Sequence, residues 1–143
     1  MPVAADLTLA QAQKMVEAAL AAGRAARLQP LTVAVLDAGG HLKAFAREDG
    51  TGILRPQIAI GKAWGALGLG RGTRSFAEKN PALLASLGAM SEGKIVPSPG
   101  GVLARHADGS VVGAVGITGD TGDNDEACAI AGVEAVGLAA DGG

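Results

Sequence analysis

The stretch Leu31-Thr32-Val33-Ala34-Val35-Leu36-Asp37, followed by Ala38-Gly39-Gly40 and then His41 to Arg47, decides the fold class. Its first seven residues are apolar and β-branched, as a buried strand requires. Ala38-Gly39-Gly40 is a tight turn, since glycine reaches the backbone angles that close a hairpin at no steric cost. His41 to Arg47 reads as the returning strand. The same pattern recurs late in the chain: Val102 to Arg105, a turn at Ala107-Asp108-Gly109-Ser110, then Val111 to Thr118. Hairpins mean antiparallel pairing.

Helices fill the remainder. Thr8-Leu9-Ala10-Gln11 fits a capping box, and Leu9, Ala12, Val16, Ala19 and Leu20 recur on one face, which predicts a helix from Leu9 to Arg27. Ile58, Ala59, Ala63, Ala66 and Leu67 predict a second from Ile53 to Leu69, with Pro56 in its first turn and Gly68, Gly70 and Gly72 ending it. One or two short helices are expected over Ser75 to Leu87, broken at Asn80-Pro81, and a final one from Asp125 to Leu138. This order gives an α+β layered domain. A doubly wound dinucleotide fold needs alternating crossovers, and the chain does not alternate.

With 143 residues and no linker, the chain reads as a single domain, 1–143. Twelve basic residues against 14 acidic ones leave a net charge of −2, which argues against nucleic acid as a partner. Phe45, Trp64 and Phe76 are its only aromatics, so no platform for stacking bases exists. No apolar run reaches the roughly 18 residues of a membrane span. A single cysteine, Cys128, forms no internal disulfide and reads as a small buried hydrophobe. A soluble cytoplasmic protein is expected. The 23 glycines and 30 alanines make up over a third of the chain and bury little area each, so a homo-oligomer that buries more is expected too.

Motifs for phosphate or dinucleotide binding fail. Gly61-Lys62 has Pro56 where a phosphate loop needs its first glycine, and Gly68-Leu69-Gly70-Arg71-Gly72 follows a helix at the wrong spacing. His41 and His106 are too few and too dispersed for a zinc site, so no metal ligand set is assigned. The loop from Asp120 to Glu126 reads as a turn and helix cap, with a hard cation as the alternative. Lys62 sits among Ile58, Ala59, Ile60, Ala63 and Ala66. There it either snorkels to solvent or is held in a cleft to meet an anion. Pro99-Gly100-Gly101 is either a structural turn or a nest of backbone N–H groups for an anion.

Five separated segments resemble one family across essentially the whole length. They are Val33 to Leu42, Ala59-Ile60-Gly61-Lys62-Ala63, Pro99-Gly100-Gly101-Val102, Val112 to Gly119, and Asp125-Glu126-Ala127-Cys128. The chain resembles the GlcG/HbpS-like family, also called DUF336 or the haem-degrading domain family. That resemblance implies an α/β/α sandwich around a five-stranded antiparallel, profilin-like sheet. It also implies homo-oligomers from dimer to octamer, and links to haem or corrinoid contexts, with haem as the suggested ligand. Lys62, Gly100, Gly101, Asp125 and Glu126 fall on the family's motif positions. Trp64-Gly65 and Leu103-Ala104 depart from residues common in relatives beside the cleft.

Two functions follow. In the first, a small planar or anionic molecule such as haem binds a cleft lined by Lys62, Trp64, Gly100, Gly101, Asp125 and Glu126, at or near a subunit interface. His41 and His106 are the axial-ligand candidates, and otherwise turn-flanking surface histidines. In the second, a small enzyme without an organic cofactor acts on a small carboxylate. Lys62 is then clamp or base, Asp125 or Glu126 carries a proton, and the Gly100-Gly101 amides hold an oxyanion.

Overall fold

The computed structural model describes residues 7–143. The six residues before Leu7, included in the single domain expected from sequence, lie outside the described residues. Thr8 caps α1 (Leu9–Ala25) through the expected box: its hydroxyl accepts the Gln11 backbone N–H at 3.1 Å, and the Gln11 side chain accepts the Thr8 N–H at 3.0 Å. The helix stops before the expected Arg27, which takes a left-handed φ of 56°.

Both hairpins form. β1 (Thr32–Asp37) pairs antiparallel with β2 (Leu42–Arg47), and β3 (Gly101–Arg105) with β4 (Val111–Thr118). β1 and β4 also pair antiparallel, so the hairpins join into one sheet ordered β2-β1-β4-β3-β5. Its last strand, β5 (Ala139–Asp141), falls just beyond the span predicted as one long helix. That helix, α4, runs Gly122–Glu134 instead of Asp125 to Leu138. Thr121 starts it three residues early by accepting the Asn124 N–H, and Gly137, with φ +77°, turns the chain back along β3. α2 spans Arg55–Leu69, a short 3-10 helix spans Thr73–Glu78, and α3 spans Pro81–Met90, capped by Asn80.

Alternation sorts the core. Val33, Val35, Val115 and Ile117 face α1 and α4 along with Met15, Leu31, Val102 and Val133. Leu36, Leu103 and Ala114 face α2, meeting Ala63 and Ala66. The result is an α/β/α sandwich with α1 and α4 on one face and α2 on the other.

Small residues set how close the layers come. A Cβ at Gly116 would stand 1.9 Å from the Ala59 carbonyl oxygen, and one at Gly132 would stand 2.7 Å from that of Met15. Helix backbone therefore rests directly on β4, and α4 directly on α1. Gly116→Val is expected to lower stability by about 1–3 kcal/mol or more, the cost of overpacking. A urea denaturation midpoint checks it, and a midpoint equal to the wild type would contradict this packing.

Candidate functional site

The sheet-facing side of α2 carries Ala59, Lys62, Ala63 and Ala66. Lys62 does not snorkel. Its Nζ donates to the Ile117 carbonyl at 2.8 Å and to Asp125 Oδ2 at 3.3 Å, with the two side chains only 3% and 2% exposed. Asp125 comes from the first turn of α4, and its other oxygen accepts the Asp120 N–H at 3.0 Å. Burial pushes the Lys62 ammonium below its ordinary value, against the attraction of Asp125. Burial likewise pushes the Asp125 carboxyl up, against the pull of Lys62.

The Gly100 turn closes over this pair. Gly100 has φ +125°, and a Cβ there would lie 2.8 Å from Lys62 Nζ and 2.7 Å from the Ile117 oxygen. At Gly101 a Cβ would lie 2.3 Å from the Lys62 carbonyl oxygen, so that strand runs against α2. Of the two readings of Pro99-Gly100-Gly101, the structural turn is the one formed, and the Gly101 N–H donates to Thr73 Oγ1 at 2.9 Å. Lys62, Gly100, Gly101 and Asp125 thus converge, but inside the protein.

Glu126 points elsewhere and accepts from Arg74 Nε at 2.8 Å, while Arg74 also binds Asp123. Asp120 accepts from the Gln29 N–H, the Thr121 N–H and the Asn124 side chain, which together hold its carboxyl below the ordinary range. Each carboxylate from Asp120 to Glu126 is engaged by donors of the chain itself. Among the described residues no group of three or more His, Cys, Asp or Glu is arranged to hold a metal ion. Cys128 is buried beside this segment, and burial raises its thiol.

Trp64 is not in the same cleft as Lys62. Two residues along a helix turn the side chain by roughly 200°, and the indole lies on the flank of α2, half-buried against the edge of the Leu36, Ala63 and Ala66 cluster. Leu54, Gln57, Ile58 and Gly61 line a groove of about 430 Å³ along the outer side, closed across by Glu92, Gly93, Lys94 and Val96. Trp64 and Gly68 continue the stripe into a smaller hollow of about 130 Å³ with Leu69, Leu87, Met90 and Ile95. Gly61 and Gly65 make the enclosure: a Cβ at Gly61 would meet Val96 Cγ2 at 2.9 Å, and one at Gly65 would meet the Lys94 oxygen at 3.2 Å. Lys94 Nζ stands 5.3 Å from the centroid of the Trp64 ring, within cation–π reach.

Sequence reasoning missed Lys94 and Arg74. Glycines four apart on the outer stripe of a helix are the signal that another segment lies on it, and they point to Lys94. Nothing local marks Arg74. The histidines separate: His41 ends the β1–β2 turn and pairs with Asp37, whereas His106 is exposed in the β3–β4 turn.

Comparison with known proteins places this arrangement. The family model described as "Haem degrading protein HbpS-like" matches residues 7–134. The chain belongs to that family. An uncharacterised 15.0 kDa protein of the dhaT-dhaS intergenic region of Citrobacter freundii is 32% identical over 123 residues, 85% of each chain. The Klebsiella pneumoniae protein ORFY, of DUF336, superposes with a TM-score of 0.83 at 26% identity, over 92% of this chain and 90% of that one. HbpS superposes at 0.76 with 27% identity, over 94% and 92%. A PduOC:heme complex superposes at 0.83 with 24% identity over 92% and 96%, a likeness of fold. The HbpS-like sandwich and its five-stranded antiparallel sheet are those expected from the resemblance. No helix among the described residues is long and apolar enough to cross a membrane.

The buried pair generates its own test. Lys62→Met is expected to cost about 3–5 kcal/mol, because it strands the Asp125 carboxylate away from water. The double variant Lys62→Met/Asp125→Asn, which keeps an acceptor for the Asp120 N–H, is expected to recover much of that loss. Urea unfolding of the variants measures it; a loss under about 1 kcal/mol in Lys62→Met is incompatible with a buried pair.

Proposed function

We propose that this HbpS-like chain binds haem, or a planar carboxylate-bearing molecule of similar build, on the outer side of α2 across Trp64 and beside Lys94. The observation that carries the reading is the Lys94–Trp64 stack at the junction of two apolar hollows. A flat macrocycle matches the indole face and the apolar lining in kind. Its peripheral carboxylates match the Lys94 ammonium, the only cation lining either hollow among the described residues. The haem-degrading name of the family and the haem bound by the PduOC fold neighbour support the same ligand. When bound, haem would supply the iron for ligand or electron exchange.

Of the residues singled out in the sequence, this reading keeps Trp64 at the ligand. Lys62, Gly100, Gly101 and Asp125 hold α2 against the sheet behind it, and Glu126 belongs to the Arg74 network. No specific observation favours the enzyme reading: Lys62 and Asp125 are closed off from solvent, and Glu126, its other proton carrier, is engaged by Arg74.

The same side of the molecule exposes Ile53 at 93%, Met90 at 76% and Leu54 at 59%, which supports a homo-oligomer that covers part of it. Sedimentation velocity is expected to give a species above 14.0 kDa.

Ferric haem added to the purified protein is expected to produce a shifted Soret band and quench the single tryptophan. Lys94→Ala is expected to weaken binding about tenfold or more, the range for a hydrogen bond to a charged group. Trp64→Leu is expected to weaken it as well. Unaltered fluorescence and a free-haem spectrum in the wild type would remove the proposal.

A further inference from the structure

Strand pairing sets three polar side chains in a row across one end of the sheet. Val33 and Ile117 pack toward α1 and α4, so their neighbours Thr32 and Thr118 turn to the α2 side. Ala46 packs against that same core, which turns Arg47 to the α2 side as well. Thr32 stands opposite Arg47 on β2 and opposite Thr118 on β4, so the three side chains are neighbours on one face. Arg55, the first residue of α2, reaches onto the row, where its Nη1 donates to Thr118 Oγ1 at 2.7 Å. Ala59 and Lys62 lie further along the same side of α2 and hold it against β4.

The chain itself leaves this row short of partners. Thr32 is fully buried and its hydroxyl has no hydrogen-bond partner; nor has the shielded hydroxyl of Thr51, four residues before Arg55. A hydroxyl taken from water is costly until something engages it. Among the described residues no carboxylate pairs with the guanidinium of Arg47 or of Arg55. The carboxylates nearby are taken up elsewhere: Glu48 by Arg24 and the Leu31 N–H, Asp125 by Lys62, and Asp120 by the Gln29, Thr121 and Asn124 donors. Leu54 gives α2 no side-chain cap and its first turn holds no acidic residue, so the positive end of the helix dipole adds to the two guanidinium charges.

Donors and positive charge gathered in this way are the chemistry of anion recognition. A guanidinium fork donates in pairs to the oxygens of a carboxylate or a phosphate, and hydroxyl protons fill further lone pairs. Thr118 accepts from Arg55 and so keeps its own proton to donate. We propose that Arg47, Thr32, Thr118 and Arg55 form an oxyanion site that takes the phosphate or carboxylate group of a small molecule. Arg47 is exposed and Arg55 half-buried, so the anion enters from the β2 side and meets Thr32 at the inner end. The site uses none of the residues around Trp64 and Lys94, and it stands or falls independently of the ligand proposed there.

Melting temperature and titration calorimetry are recorded on the full chain with inorganic phosphate and with acetate, at constant ionic strength against chloride. At least one of the two anions is expected to release binding heat and raise the melting temperature by mass action, and the one that does so assigns the group. Thr32→Val keeps the shape of the side chain and removes the orphaned hydroxyl. In chloride it is expected to melt no lower than the wild type, yet to lose most of the response to the anion. Arg47→Gln and Arg55→Gln are each expected to weaken binding about tenfold, as when a hydrogen bond to a charged group is lost. Arg47 is exposed, so its variant keeps the fold even if Arg55→Gln does not. Arg71→Gln, an exposed arginine paired with Glu78, is expected to bind as the wild type does. A wild type that answers neither anion beyond chloride overturns the proposal. So does an undiminished response in Thr32→Val or Arg47→Gln, or an equal loss in Arg71→Gln, which marks surface charge alone.

Discussion

A single ammonium group ties the three layers of this sandwich together. Lys62 belongs to α2, the Ile117 carbonyl to β4 and Asp125 to α4, so one buried cluster reaches from one helical layer past the end of the sheet to the other. Taking two such charges out of water costs several kcal/mol per ion, which their mutual attraction offsets only with further hydrogen bonds to the groups around them. Here such bonds are present. The Ile117 carbonyl takes one Lys62 proton, the Asp120 N–H fills the second Asp125 oxygen, and Gly100 covers the pair at a distance no side chain would tolerate. The same cluster joins the end of β4, the start of α4 and the sheet-facing side of α2.

The alanine and glycine content acquires its physical sense from that closeness. Side chains this small bury little area, but they let backbone meet backbone, as at Gly116 against Ala59 and Gly132 against Met15. The apolar bulk that the chain does possess is divided unequally. The valine- and leucine-rich core lies between the sheet and α1 and α4, whereas alanines fill the α2 side. Larger apolar groups on α2 and its surroundings face outward, and two hollows form between them and the segment from Glu92 to Val96.

Helix α2 therefore does two jobs on two sides. Its inner side is spent on the buried pair and the sheet; its outer side presents Trp64, covered by Lys94 and flanked by the β1–β2 turn. Members of the HbpS-like family share the sandwich at identities near a quarter, which is what such a division allows. The inner side is constrained by packing and charge, and the outer side of α2 carries no such buried pair.

Local sequence determined a great deal. Hairpin turns with glycine, β-branched runs, the Thr8–Gln11 box and helical spacing are interactions among near neighbours, and they set both hairpins and the first two helices to within two residues. They did not reach β5, whose three residues have no alternation of their own and become a strand only because β3 offers an unpaired edge beyond Gly137. Nor did they place α4, since Thr121 and Asp125 both look like helix starts and only the Asp125–Lys62 contact shows why the latter lies inside the first turn. The candidate site divides the same way. Sequence drew attention to Lys62, Trp64, Gly100, Gly101, Asp125 and His41, because their types are chemically conspicuous. Only the tertiary structure decided that Lys62 meets Asp125 in the interior while Trp64 meets Lys94 and the His41 turn outside. Which face of α2 is buried depends on groups 55 and 63 residues away in the chain, and no local pattern encodes that distance.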